Sequence, residues 1–289
     1  MVKIIGDTTS ALSPEIAERY QIPIVPQVLN FGTESYLEGV DIDLQTFMRK
    51  LLSSQDLPQT AAPPPGLFTK EFERLVPTGE PILCILPSAV VSGTVRSAML
   101  AARDFRGADI RIIDTGFIAA PVAMLLELAA RWAAEGLEAT VIEDRIYEML
   151  SRCRYYAVLD TLTYLARGGR IGGAAALLGS LLQVKPILTL QKGRVEVFEK
   201  IRTRRHALAR LKQLTREQIA PGSEPYLSVM HSGIPDQAQE LADELATALA
   251  LTDVRVCELP AAFVVHAGPG VLGVAFFTTA GQEQDHATA

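Results

Sequence analysis

Apolar strand patterns that run through polar loops into helices recur along the first half of this chain, and they restrict its fold more than any other feature. Val2 to Ile5 passes through Gly6-Asp7-Thr8-Thr9-Ser10 to Ser13-Pro14-Glu15, a capping serine with proline at the first helical position. Pro81 to Leu86 passes through Pro87 to Thr94 into a helix over Val95 to Phe105, and Ile110 to Ile113 passes through Asp114-Thr115-Gly116 into Ala119 to Ala134. Such units predict an α/β fold with a mostly parallel sheet flanked by helices. Ligands of these sheets lie beyond the carboxyl ends of the strands, where Asp7, Ser88, Ser92 and Asp114 fall. Between the units, Ile22 to Phe31 reads as one strand, Asp43 caps a helix through Leu52, and Leu57 to Gly66 reads as a stiff proline-rich loop.

The pattern changes after a helix over Thr140 to Cys153. Ile187 to Leu190 and Val195 to Phe198 flank Lys192-Gly193 as an antiparallel hairpin. A basic helix over Thr203 to Gln213, a strand at Tyr226 to Met230, a helix over Asp236 to Ala250 and a strand at Val254 to Glu258 follow. Phe263 to Gly270 and Val271 to Phe277 read as strand, turn, strand, and the tail from Gly281 is polar and expected to fray. With 289 residues, 48% of them hydrophobic, the chain suits two domains: 1–154 with a parallel sheet and 155–289 with a mixed or antiparallel one.

Leu162 to Leu190 is the least random stretch. It breaks at Gly168-Gly169, presents Arg170, and resumes with Ala174, Leu177, Leu178, Leu181 and Leu182 at helical spacing. Adjacent glycines keep side chains away, so that whatever meets Arg170 can approach closely. Pro186 ends the helix at Lys185. A tight connection with a solvated arginine explains the same pattern.

Several function classes are excluded. A net charge of −6 supplies no global attraction to nucleic acid or to an anionic membrane, so any anion site is local. The three cysteines, Cys84, Cys153 and Cys257, form no CxxC pair, which argues against disulfides and zinc and for a reducing, cytoplasmic compartment. The most apolar long windows contain Glu127 and Arg131, or Lys185, so no stable membrane insertion is expected. The start shows no secretory leader pattern, the four histidines lie apart, and GGRIGG is not a nucleotide-binding glycine loop. No cofactor or metal is expected.

What remains is a local anion site. Thr60 in the proline-rich loop, Ser92 with the Gly93 and Thr94 amides at a helix start, Arg170 and His266 supply the mixed donors that hold a carboxylate or phosphate. Ser92 also reads as a plain helix cap, and His266 as a core histidine. A serine nucleophile at Ser92 with His266 as base is the rival reading, although no GxSxG surrounds the serine. Arg202, Arg204, Arg205, Arg210, Lys212 and Arg216 give the basic helix one charged face, either solvated or a partner surface.

In this order, Asp7-Thr8-Thr9, the LPQTAAP loop, Ser88 through Ser92-Gly93-Thr94, Asp114-Thr115, the LARGGRIGG to KPIL segment and His266-Ala267-Gly268-Pro269-Gly270 resemble the DegV family of bacterial fatty-acid-binding proteins. The resemblance implies a two-domain α/β lipid carrier that holds one long-chain fatty acid between its domains. It also implies a separate ATP-dependent fatty acid kinase that phosphorylates the bound acid, and the basic face at Arg202, Arg204 and Arg205 is the surface offered to it. Carried over by position, Thr60 and Ser92 hold the carboxylate, and Arg170 and His266 lie beside it. The family's Thr-Ser-Gln-Pro reads Thr60-Ala61-Ala62-Pro63 here, Ala89 stands where a second serine is common, and Val264 replaces a frequent glycine. Backbone amides, those of Ala61, Gly93 and Thr94 among them, are left to replace the missing hydroxyls.

Overall fold

The computed structural model describes residues 1–54, 56–180, 184–219 and 226–278. Its strands are β1 (Lys3–Asp7), β2 (Ile24–Val25), β3 (Val28–Phe31), β4 (Glu34–Leu37), β5 (Gln59–Ala61), β6 (Ile82–Leu86) and β7 (Ile110–Asp114), followed by β8 (Cys153–Val158), β9 (Ile187–Gln191), β10 (Arg194–Glu199), β11 (Leu227–His231), β12 (Arg255–Glu258) and β13 (Leu272–Phe277). The α-helices are α1 (Pro14–Arg19), α2 (Leu44–Ser53), α3 (Pro65–Leu75), α4 (Thr94–Ala102), α5 (Ala120–Ala134) and α6 (Ala139–Ser151), then α7 (Thr163–Arg167), α8 (Arg204–Gln218), α9 (Pro235–Leu249) and α10 (Ala261–Ala267).

The fold is α/β, as the alternating pattern predicts. One sheet runs β2-β1-β6-β7 with every pair parallel. A second runs β10-β9-β8-β13-β11-β12 and is antiparallel except at β11 and β12. Period-two alternation gives each sheet two apolar faces. In β6, Leu83 and Ile85 enter the central core, whereas Ile82, Cys84 and Leu86 face outward to Phe68 and Phe72 of α3 and Ala98 of α4. In β8, Tyr155 and Ala157 join the same central core, and Tyr156 and Val158 turn to Leu211 of α8 and Leu241 of α9. The layers are helix, sheet, helix, sheet, helix. Helix α5 sits in the middle layer and is apolar nearly all round, as a helix buried on both sides must be. No described helix is long and apolar enough to cross a membrane.

Four stretches differ from their sequence reading. Ile22 to Phe31 is two strands in two sheets: β2 pairs with β1, then the chain turns at Pro26-Gln27 and β3 enters an antiparallel sheet of order β4-β3-β5. Proline lacks the N–H that a continued ladder needs. The proline-rich loop contains β5, whose Thr60 stands opposite Leu29 of β3, so this threonine is held by a strand. Phe263 onward is not a strand but the end of α10, which packs against α2, α7, β3 and β5. A short continuous apolar run is equally compatible with a buried helix. Pro260 precedes this one and Gly268, at φ +78°, ends it. After Arg170 the helical spacing takes a 3-10 form over Gly172–Ser180, with Ala174 and Leu177 buried. Leu181, Leu182 and the tail from Gly281 lie outside the described residues.

A buried polar network ties these layers at the carboxyl end of β1. Asp7 accepts hydrogen bonds from Thr9 Oγ1 (2.7 Å), Gln27 Nε2 (2.7 Å) and Thr94 Oγ1 (3.2 Å). The Gln27 backbone N–H donates to Thr8 Oγ1 (3.0 Å), and that hydroxyl donates to Glu38. Glu38 Oε1 in turn accepts from the Ala262 N–H (2.8 Å) in the first turn of α10. Burial pushes the carboxyls of Asp7 and Glu38 up to about 6 each, against the opposing hydrogen bonds from Thr9 and Thr8.

A carboxyl raised on folding binds its proton more tightly in the native state than in the unfolded chain. Its contribution to stability is complete below the unfolded values near 4 and is lost as pH rises through about 6. Glu38→Gln removes that loss, so its stability relative to the parent protein should rise between about pH 4.5 and 6.5 by roughly 1–2 kcal/mol and then level off. Urea denaturation across that range checks this, and a pH-independent difference refutes it.

Candidate functional site

A cavity with about 880 Å³ of empty space, part of it open to solvent, lies between the inner face of the six-stranded sheet and the carboxyl end of the parallel sheet. Tyr155, Ala157, Leu188, Leu190 and Val195 supply an apolar wall from β8, β9 and β10, completed by Ile118, Leu165 and Phe263. Its polar lining is Thr9, Gln27, Thr60, Ser92, Arg170, Thr189 and His266. The alternation that fills the central core thus also lines the cavity, because Tyr155 and Ala157 are the inward residues of β8.

Thr60 and His266 meet there. Thr60 Oγ1 and His266 Nε2 are 2.7 Å apart, one brought by β5 and the other by α10. His266 Nδ1 is buried with no partner among the described residues. An orphaned ring lone pair is tolerated better than an orphaned N–H, which assigns the hydrogen to Nε2. Nε2–H then donates to Thr60, and the Thr60 hydroxyl hydrogen is left for the cavity. Burial, with Arg170 nearby, pulls His266 down to about 4, so the ring is neutral.

The two glycines before Arg170 have separate tasks. Gly168 has an ordinary backbone at φ −77°, but a Cβ there would lie 2.3 Å from His266 Nδ1. Its missing side chain makes room for the imidazole rather than for a ligand of Arg170. Gly169 takes the left-handed turn, at φ +68°. Arg170 donates from Nε to the Val91 carbonyl (3.2 Å) and from Nη1 to the Gly168 carbonyl (2.8 Å). It therefore binds the loop before α4 to the segment after α7 while its guanidinium lines the cavity. Ser88 makes a second such tie, donating to the Gly193 carbonyl (2.8 Å) in the β9–β10 turn.

Ser92 Oγ accepts from the Thr94 N–H (3.3 Å) and lies 2.8 Å from Thr94 Oγ1. The N-cap of α4 is Gly93, and Ser92 stands one residue before it, meeting the first helical N–H while it lines the cavity. Gly93 also lines the cavity, and a Cβ on it would come within 3.1 Å of the Ala62 methyl. Thr60, Ser92, Gly93, Arg170 and His266 are thus gathered on one cavity. Ala61 is exposed on β5 and Ala62 takes its place in the lining; Thr94 is buried behind Ser92.

The serine-hydrolase pairing does not form. His266 Nε2 is bonded to Thr60, Ser92 is bonded to Thr94, and no described carboxylate orients the ring through Nδ1. Gln27 and Glu38 carry no motif and escaped sequence reasoning. Thr9 was visible only as part of the polar exit from β1. On the basic helix, Arg204 pairs with Asp160 and donates to the Gly270 carbonyl (3.0 Å), Arg210 binds Glu199 and Glu217, and Lys212 binds Glu244. Arg202 and Arg205 are exposed.

The family model described as an uncharacterised protein of the DegV family matches residues 1–279. A DegV domain-containing protein of Streptomyces coelicolor is 37% identical over 279 residues, covering 94% of this chain and 97% of its own length. Among solved structures, a fatty-acid-binding DegV family protein of Thermus thermophilus superposes with a TM-score of 0.88 at 29% identity, covering 96% of this chain and 99% of its own. A fatty-acid-binding DegV family protein of Streptococcus agalactiae superposes with a TM-score of 0.88 at 26% identity, with the same coverage. Fold, ordered motifs and family match coincide over nearly the whole length, and the chain belongs to the DegV family.

Proposed function

We propose that this protein binds one long-chain fatty acid, with the carboxylate at Thr60 and Ser92 and the acyl chain along the apolar wall from β8, β9 and β10. The observation that carries the reading is the Thr60–His266 contact at 2.7 Å, which leaves a hydroxyl hydrogen facing a largely apolar cavity. Structural relatives at 29% and 26% identity that bind fatty acids support it. Burying about sixteen carbons at ~0.8 kcal/mol per methylene contributes on the order of 10 kcal/mol, so the head-group contacts select more than they hold.

In the same reading the two units that clasp the lipid divide just before β8, two residues ahead of the 154/155 division expected from the sequence, and a separate ATP-dependent kinase phosphorylates the bound acid. Arg170 and His266 stand where an acyl-phosphate would add charge. Arg202 and Arg205 are the part of the basic face left for docking, since Arg204 is committed to Asp160 and Gly270.

Protein purified from a bacterial host should carry about one equivalent of fatty acid by native mass spectrometry. Thr60→Val and Ser92→Ala should each weaken rebinding by roughly 1–3 kcal/mol, as lost hydrogen bonds to a charged group do. Lipid-free protein that also ignores added fatty acid would overturn the proposal.

Gly168→Ala should weaken binding by at least about as much as Thr60→Val, because the methyl group takes the space of the imidazole that orients Thr60. Displacement of a fluorescent fatty acid measures this, and unchanged affinity with a folded protein would show that His266 is dispensable.

Arg170→Ala should leave fatty-acid affinity within a few-fold while lowering acyl-phosphate formation with a cognate kinase by about ten-fold or more, a loss of ~1.4 kcal/mol in the transition state. Equal losses in both assays would make Arg170 a simple carboxylate clamp.

A further inference from the structure

Ser92 ends a hydrogen-bond chain in which every hydrogen can be counted. Thr94 Oγ1 has one hydrogen and two lone pairs, and it has three polar side-chain neighbours: Gln27 Nε2 at 2.7 Å, Asp7 Oδ2 at 3.2 Å and Ser92 Oγ at 2.8 Å. The amide nitrogen of Gln27 only donates. An ionised Asp7 only accepts. Thr94 therefore gives its hydrogen to Asp7, takes one from Gln27, and has a lone pair left for Ser92. Ser92 must then donate to Thr94. One of its own lone pairs already takes the Thr94 N–H (3.3 Å), so it presents the cavity with the other. Thr9 behaves likewise: it lines the cavity, yet its hydroxyl donates to Asp7 Oδ1 at 2.7 Å.

With Asp7 ionised, both hydroxyls on this side turn their hydrogens away from the cavity, and a carboxylate arriving at Ser92 meets lone pairs. One proton on Asp7 Oδ2 reverses the chain. The acid donates to Thr94, Thr94 donates to Ser92, and the Ser92 hydrogen turns toward the ligand. We infer that Asp7 is a positioning residue that sets whether Ser92 donates or accepts, and that a fatty-acid carboxylate is taken up together with one proton from solvent that comes to rest on Asp7. This inference rests on the fatty-acid reading of the cavity.

The charges around Asp7 favour that resting place. Its direct partners from the turn after β1, from Gln27 and from α4 are all neutral. The nearby ionisable group is Glu38, reached through Thr8, whose negative charge opposes ionisation of Asp7. Helix α5, packed on β1, brings Leu126 close to Gly6, and its Glu127 is paired with Arg255. The cavity side holds Arg170 and His266. Burial already holds the Asp7 carboxyl up at about 6, and a bound carboxylate adds a further negative charge. The Arg170 guanidinium favours the ionised ligand and disfavours a proton on His266, which burial already holds down at about 4.

The test titrates delipidated full-length protein with palmitate, ¹³C-labelled at its carboxyl and kept below its aggregation concentration. Calorimetry at about pH 7.5 in buffers of different ionisation enthalpy should show close to one proton taken up per lipid bound, with affinity falling up to about ten-fold per pH unit above that. Infrared difference spectra should show a new protonated carboxyl from the protein while the labelled ligand remains a carboxylate. Asp7→Asn should abolish the uptake. Thr94→Val, which keeps Asp7 but cuts the relay, should bind within about ten-fold of the parent and take up much less than one proton. Binding without proton uptake overturns the inference, as does a protonated ligand carboxyl. Uptake that survives Asp7→Asn and disappears in His266→Gln or Glu38→Gln overturns it too. Absence of any palmitate binding overturns the fatty-acid reading itself, and this inference with it.

Discussion

Two carboxylates, Asp7 and Glu38, are buried together where the sheets meet, and their satisfaction by hydroxyls and amides is the constraint on which the rest of the site depends. Removing a carboxylate from water without a cation is unfavourable enough that every partner must be in place. Those partners come from the turn after β1, from the break between β2 and β3, from the first turn of α4 and, through Glu38, from the first turn of α10. A single set of bonds therefore sets the relative positions of Ser92, which follows from α4, and His266, which follows from α10. Apolar packing alone would hold the same layers together but would leave these elements free to slide by fractions of an ångström. A hydrogen-bonded head-group site does not tolerate such slippage.

Much of the layered fold was legible in the sequence, and the reason is periodic. Alternation in Leu83 and Ile85 against Ile82, Cys84 and Leu86 belongs to a strand buried on both faces, and the near-continuous apolar run of α5 belongs to a helix between two sheets. What escaped was decided by partners distant in the chain. Phe263-Val264-Val265 carries the residue types of a strand, yet Glu38, more than two hundred residues earlier, accepts from the first turn of a helix there. Gln59 to Ala61 lacks any apolar alternation and becomes a strand because β3 offers it an edge. Gln27 sits beside a proline with nothing local to mark it, and only the approach of Thr94 from α4 reveals its part.

The candidate site was legible to a different degree and for a different reason. Thr60, Ser92, Arg170 and His266 could be singled out because hydroxyls at element ends, an arginine after glycines and a histidine before Gly-Pro-Gly are unusual in apolar surroundings. Their mutual arrangement could not. Sequence reasoning offered His266 as a base for Ser92, whereas β5 brings Thr60 to it. It assigned the glycine pair to Arg170, whereas Gly168 accommodates the imidazole and Arg170 turns to the carbonyls of Val91 and Gly168. Spacing along the chain records which backbone positions need glycine but not which neighbour needs the space.

These arrangements join stability and recognition in one set of atoms. The network that fixes α4 against α10 is also the network that decides where the hydrogen on Ser92 points, so a change in the charge of Asp7 is felt at the cavity without any movement of the backbone. On the opposite side, Thr60 receives its hydrogen-bond character from a neutral histidine kept neutral by burial and by Arg170. One hydroxyl is thus set permanently as a donor, and the other is set by a titratable group. A head group that carries negative charge suits the first unconditionally and the second only with a proton behind it. On the fatty-acid reading, the protonation of the buried acids behind the cavity wall therefore decides how well a negatively charged head group is accepted, as much as the residues that touch it do.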